Sequence, residues 1–197
     1  MFAPAIALAV TMIAPQLPPP NLVENGDARA GEIHWEASRR ERGTVESCNG
    51  SPCFVMRNGA GWMQFIPLPP ESTGKFVVLV ARASTERVLP DRNITGLPYI
   101  NGAFATATRR NYLYVPLRDS RTAHPPRENY WMTISDVLTV PRGAAYIWLS
   151  LGQGQRKGTP HNGSAARVRD VEARMFDTLA AADAYIRSYD RLYEPGK

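Results

Sequence analysis

Apolar residues in this chain recur in short runs, and glycine, proline, asparagine or aspartate closes nearly every run. That rhythm constrains the fold more than any other feature. A helical protein needs apolar positions three and four apart over long stretches, whereas a strand needs only brief alternation ended by a turn. The candidate strands are Asn21–Asp27, Ile33–Ala37, Phe54–Arg57, Trp62–Ile66, Lys75–Ser84, Asn101–Thr108, Tyr112–Pro116, Trp131–Thr133 with Val137–Val140, Tyr146–Leu151 and Ala166–Phe176. Val77-Val78-Leu79-Val80 is apolar at consecutive positions, the pattern of a central strand covered on both faces. The content of 15 Gly and 17 Pro suits short strands and frequent turns. With 197 residues, 44% hydrophobic, the chain can bury one core, and no shift of composition divides it. The expected fold is all-β, a sandwich of two antiparallel sheets.

The two ends depart from this pattern. Phe2 to Pro15 is an apolar run followed by the proline-rich Gln16-Leu17-Pro18-Pro19-Pro20, too short to span a bilayer and similar to the apolar core of a secretory signal. No Lys or Arg precedes it, the first being Arg29, so either the natural start lies upstream or the amine of Met1 supplies the charge. Beyond Phe176, Asp177 is placed to cap a helix, and Leu179, Ala182, Ile186, Tyr189 and Tyr193 recur at helical spacing. The expected organisation is a signal-like segment and linker over 1–20, the sandwich over 21–176 and a short amphipathic helix over 177–193 that packs on it.

Cys48 and Cys53 bracket Asn49-Gly50-Ser51-Pro52, which is turn chemistry, and the pair predicts a local disulfide made in an oxidising compartment. The alternatives are a metal pair, which lacks further Cys or His nearby, or two free thiols. A secreted or periplasmic location follows from the disulfide together with the apolar N-terminus. The net charge is +5, yet the arginines are interleaved with acids, and the densest spots, Arg39-Arg40-Glu41-Arg42 and Arg109-Arg110, fall in loops. Nucleic acid is not the expected partner; anionic glycans or a cell wall are the partners that charge leaves open.

Catalytic signatures are sparse. His34, His124 and His161 lack the close spacing of a metal motif, and there is no nucleophile elbow or phosphate-binding glycine loop. Glu36, Glu46, Glu86, Asp136, Asp170 and Glu172 are available to an acid–base pair of the glycosidase kind, but nothing in the sequence pairs any two of them. Strand alternation is more informative. It sets Trp62 with Gln64, Tyr112 with Tyr114, and Tyr146 with Trp148, and opposes them to Phe65, Leu113, Val115, Ile147 and Leu149, assigned to the core. A sheet face of aromatic rings with Gln64, Arg82, Asn101 or Gln153 as hydrogen-bonding groups is suited to sugar. The alternative is that loops or the C-terminal helix cover these rings.

The opening stretch from Asn21 to Trp35, with Asn25-Gly26-Asp27 at its centre, resembles the first segment of exported galactose-binding-like jelly rolls. Gly61-Trp62-Met63-Gln64-Phe65-Ile66-Pro67 and Trp131 to Ala144 are similar to later segments of that family, and the likeness runs from about Asn21 to Phe176. The resemblance implies a jelly-roll sandwich acting as a non-catalytic module for carbohydrate or another cell-envelope ligand. A structural or protein-interaction domain is the alternative, and a glycan-active enzyme the third. The family often holds a structural calcium beside the opening segment. Here Ala28 and Arg29 stand where an aromatic and an acid are expected, so Asp27 and Asp170 alone remain as carboxylate donors, too few for the six to eight oxygens calcium takes.

Overall fold

The computed structural model describes residues 17–37, 43–87, 96–109, 112–113, 121–122, 124–154 and 164–193. In chain order its elements are β1 (Glu36–Ala37), β2 (Thr44–Cys48), β3 (Ser51–Met56), β4 (Gly61–Pro67), β5 (Phe76–Thr85), β6 (Pro98–Ala105), β7 (Tyr112–Leu113), β8 (Arg121–Thr122), β9 (Met132–Thr139), β10 (Tyr146–Gln153), β11 (Ala166–Phe176) and α1 (Leu179–Tyr193). They form the expected jelly-roll sandwich of two antiparallel sheets. Sheet A runs β1-β4-β10-β6-β7, with β8 also paired to β6, and sheet B runs β2-β3-β11-β5-β9.

The core lies between the sheets. Val77, Leu79 and Ala81 of β5 and Ile147, Leu149 and Leu151 of β10 belong to it, all fully buried. At one end Trp35, Phe54 and Trp62 form a ring cluster, with centroids 4.7 Å apart for Trp35–Phe54 and 6.0 Å for Phe54–Trp62. Gly102 is glycine because a Cβ there would stand 2.5 Å from Leu79 Cδ1 and 2.8 Å from Leu138 Cδ1. Val78 and Val80 point the other way, under α1, so the consecutive apolar run of β5 is covered on both faces as its sequence predicts.

Several boundaries differ from the sequence expectation. Asn21–Asp27 is not a strand. Its Asn21 Oδ1 accepts from the amides of Val23 (3.1 Å) and Ala173 (3.0 Å), and the chain then turns at Asn25 and Ala28, both at positive φ. The segment docks where β11 bulges between Arg169 and Glu172: Val171 N donates to Gly26 O at 3.0 Å, and Asn21 Nδ2 donates to Val171 O at 3.4 Å. β2 went unrecognised because Thr44–Cys48 carries a single large apolar residue, Val45. The two pieces expected at Trp131–Thr133 and Val137–Val140 are one strand, β9, which pairs along β5 from Met132 to Thr139.

Asn49 and Gly50, both at positive φ, close the β2–β3 hairpin, the geometry an Asn-Gly turn favours. Cys48 opposes Ser51 and Glu46 opposes Cys53, so the Cys48–Cys53 disulfide runs diagonally across the hairpin end with its Cα atoms 5.9 Å apart.

The helix is capped by Thr178 rather than Asp177. Thr178 Oγ1 accepts from Ala181 N at 3.2 Å, while Asp177 pairs with Lys75 at 3.0 Å. Ala182, Tyr185, Ile186 and Tyr189 pack on Val78, Val80 and Phe176, and Tyr189 Oη donates to Asp170 O at 2.6 Å. Tyr185 Oη hydrogen-bonds Glu172, which also holds Arg174; Arg174 in turn reaches Pro19 O. No helix among the described residues is long and apolar enough to cross a membrane. Residues 1–16, which include the signal-like run, lie outside the described residues.

Two outcomes test this architecture. A Cβ at Gly26 would lie 2.0 Å from Val171 O, so Gly26→Ala is expected to lower the unfolding free energy by about 2–3 kcal/mol in urea titration. Burial, and then the hydrogen bond to Glu172, raise the Tyr185 hydroxyl well above the ordinary tyrosine range. A raised phenol stabilises the fold fully below about pH 10, where the unfolded tyrosine is neutral, and that contribution is lost as pH rises further. Urea titrations across the alkaline range should therefore show a steeper decline in stability for the parent than for Tyr185→Phe.

Candidate functional site

Antiparallel register decides which side chains share a face, and it groups the aromatic residues of sheet A differently from the sequence expectation. Trp148 of β10 stands opposite Phe65 of β4 and Ala103 of β6; Ser150 stands opposite Met63 and Asn101; Tyr146 stands opposite Pro67 and Ala105. Ile147, Leu149 and Leu151 are buried between the sheets, so these three rows form the outer face of sheet A. Phe65, Tyr146, Trp148, Met63, Asn101 and Ala103 are all partly exposed.

Trp62 and Gln64 therefore do not belong to this face. Their opposite parity in β4 turns them inward, with Trp62 1% and Gln64 7% exposed. Trp62 packs in the ring cluster of the core. Gln64 fastens the opening segment: its Nε2 donates to Glu24 O (2.9 Å) and His34 O (3.1 Å), and its Oε1 accepts from Glu24 N (3.1 Å). Arg82 lies on sheet B, buried against β9, where it donates to Trp131 O at 3.0 Å and Thr133 Oγ1 at 3.3 Å. Gln153 is likewise internal, accepting from Gly59 N and donating to Ser164 O. Tyr146 and Trp148 are on the outer face as expected. The Tyr112 backbone pairs with Ala105 in β7, while its side chain, Tyr114 and Val115 lie outside the described residues, as does His161.

Phe65, Met63 and Arg109 were missed. Both parities of β4 carry apolar residues, Trp62 and Ile66 on one and Met63 and Phe65 on the other, so alternation alone does not say which set faces the core. Arg109 follows β6 in a turn, at φ 56°, with its amide donating to Thr106 O at 2.9 Å. That turn carries its guanidinium back over the sheet, 4.5 Å from the Tyr146 ring centroid and 5.2 Å from that of Phe65. Trp148 Nε1 donates to Met63 Sδ at 3.3 Å, which steadies the indole on the face.

Beside Phe65 a shallow hollow of about 160 Å³ is lined by Leu22, Glu24, His34, Glu36, Pro67 and Arg109, among others. Its acidic rim comes from β1 and the opening segment. His34 Nδ1 sits 2.5 Å from Glu24 Oε2, and Glu36 is exposed beside Met63, its register partner. Asn101 Oδ1 is buried on the far side of the face with no hydrogen-bond partner among the described residues. The face thus presents rings, a guanidinium, a carboxylate and an amide, the groups that recognise hydroxylated and charged small molecules.

The donors available to a structural calcium do not fit one. Asp27 is paired with Arg29 at 3.2 Å and Asp170 with Arg169 at 3.4 Å, and no cluster of three ligating side chains occurs among the described residues. Burial raises the Asp170 carboxyl above its ordinary range, the neighbouring Arg169 working against that shift.

No protein-family model matches the chain, and no curated protein matches it. Solved structures share the fold. The tandem CBM22-1–CBM22-2 domain from Paenibacillus barcinonensis aligns with a TM-score of 0.59 at 17% identity, over 83% of this chain and 51% of that one. A family 16 carbohydrate-binding module aligns at 0.55 and 16% identity, over 78% and 99%. The enzymatically active domain of bacteriophage CBA120 tailspike protein 4 aligns at 0.55 and 17% identity, over 79% of this chain, which spans only 21% of that structure's length. At these identities the likeness is one of fold: this chain has the jelly roll found in carbohydrate-binding modules.

The division of β4 into a core parity and an outer parity is testable. Trp62→Ala should cost about 3–5 kcal/mol of stability in urea titration, the usual cost of truncating a buried large aromatic. Phe65→Ala, on the exposed parity, should cost less than half as much.

Proposed function

We propose that the chain is a carbohydrate-binding module whose ligand lies across the outer face of sheet A. The row Phe65–Trp148–Ala103 carries this reading: two partly exposed rings opposite each other on the central strands, with a small residue beside Trp148 that leaves room for a sugar ring. A pyranose offers an apolar face to Trp148 and hydroxyls to the Glu36 carboxylate on one side and the Asn101 amide on the other. Two of the solved structures of the same fold are described as carbohydrate-binding modules, which supports the class of ligand. The Cys48–Cys53 disulfide supports work in an oxidising compartment, outside the cytoplasm or in the cell envelope.

A protein-interaction role is the second reading, favoured by one observation. A groove of about 700 Å³ runs between Leu17, Pro18 and Pro19 and the outer side of α1, and Leu192 on that helix is 73% exposed.

Trp148→Ala separates the two. Under the carbohydrate reading it should weaken binding to a retained glycan by about 1–3 kcal/mol in calorimetry, the range of an exposed aromatic anchor, while Leu192→Ser leaves that affinity unchanged. Failure of the parent to bind any member of a broad glycan array, neutral or acidic, would overturn the reading.

A further inference from the structure

Among the described residues Arg109 is an exposed cation set against the rings of this face, and its setting says what kind of sugar the face would take. Its guanidinium is held over Tyr146 and Phe65 by ring contacts alone, with no carboxylate in salt-bridge reach among the described residues. Three arginines of the other sheet are placed differently. On the outer side of sheet B, Arg57 pairs with Glu46 at 2.5 Å, Arg167 with Glu86 at 2.6 Å, and Arg174 with Glu172. Arg109 also occupies a left-handed backbone conformation, which a glycine or asparagine would adopt at lower cost. A guanidinium is a planar fork of N–H donors that matches a carboxylate bidentately, and ring contacts leave that match to a ligand.

Acids stand close to this guanidinium: Glu36 and the Glu24–His34 pair, from β1 and the opening segment, line the same hollow beside Phe65 as Arg109.

Resting on the carbohydrate reading, we infer that the ligand is an acidic glycan, a uronic-acid polymer whose carboxylate is received by Arg109 at the Tyr146–Phe65 end of the face. Glu36, on the rim of the same hollow, accepts hydrogen bonds from sugar hydroxyls and repels a carboxylate, so the sugar is held in one orientation.

The test uses the whole protein and calorimetry with short oligogalacturonate, oligoglucuronate and oligomannuronate, each beside its carboxyl-reduced counterpart, which keeps the ring and loses the charge. At least one uronate should bind tighter than its reduced partner by on the order of tenfold, the ratio of a single charge-assisted contact, and the gap should shrink with added salt. In Arg109→Gln the ratio should fall toward one, and Arg109→Lys should restore part of it, since an ammonium keeps the charge but not the fork. An unchanged melting temperature for both variants keeps the comparison one of binding. Equal affinity for charged and reduced forms, or a preference that persists in Arg109→Gln, would overturn the acidic ligand and leave the carbohydrate reading standing. Tighter binding of a sulfated oligosaccharide than of every uronate would overturn the carboxylate assignment. Failure to bind either member of every pair, and every neutral glycan besides, would overturn both.

Discussion

The β11 bulge is the constraint on which the rest of the structure turns. Between Arg169 and Glu172 the strand slips its register with β5, which leaves the backbone of Val171 outside the ladder, and buried amides and carbonyls without partners are costly. The opening segment supplies those partners, Gly26 O for the amide and Asn21 Nδ2 for the carbonyl, across a sequence distance of 150 residues in the second case. Close approach demands glycine at position 26, and Asn25 then folds the following turn by accepting from Ala30 N and donating to Gly31 O and Ile33 O. Trp35 is delivered into the core by the same turn, its indole donating to Asn25 O at 3.2 Å. Because Gln64 clips the segment to sheet A as well, Glu24, His34 and Glu36 reach the rim of the outer face through contacts that begin at the bulge.

Much of this was legible in the sequence, and the part that was not has a definite physical origin. Short apolar runs with punctuation between them located β3 to β6 and β9 to β11 to within a few residues, and Cys48-Asn49-Gly50-Ser51-Pro52-Cys53 announced both the hairpin and its disulfide. What alternation does not carry is absolute parity. It separates Trp62 from Phe65 but says nothing about which of them looks inward, because that depends on the register of β4 against β10, a contact between positions more than eighty residues apart in sequence. Trp62 faces in because the adjoining end of the core holds Phe54 and Trp35 for its ring to meet. Asn21–Asp27 was misread as a strand for a related reason: its alternation is real, but side-chain and single backbone bonds to β11 replace a ladder. Arg109 stood out only as half of a basic pair in a loop, since its placement comes from a turn that folds it back over the sheet.

Charge is spread unevenly over the two outer faces. Sheet B carries its arginines in pairs, and the Glu46 carboxyl is held below its ordinary range chiefly by hydrogen bonding to Arg57 and then to Thr44. These pairs are partly exposed and add little to stability. Their effect is to cancel: Arg57, Arg167 and Arg174 leave no net field where α1 and the hairpin disulfide already cover the sheet.

The two sheets accordingly do different work with similar residues. Sheet B uses its outer rings and aliphatics to seat a helix, Val78, Val80 and Phe176 meeting Ala182, Tyr185 and Tyr189, and so converts outer apolar surface into core. Among the described residues no helix packs on sheet A, and its outer rings stay partly exposed, fixed by the strands beneath: Trp148 between Phe65 and Ala103, with its nitrogen on Met63. A face of this kind is preorganised, so binding need not order the side chains that make contact, yet it is shallow and buries little of any one sugar. Affinity on such a surface grows by repetition along a polymer and by a few charged contacts, more than by enclosure. On the proposed carbohydrate reading, one guanidinium held over the rings would decide which polymer is retained.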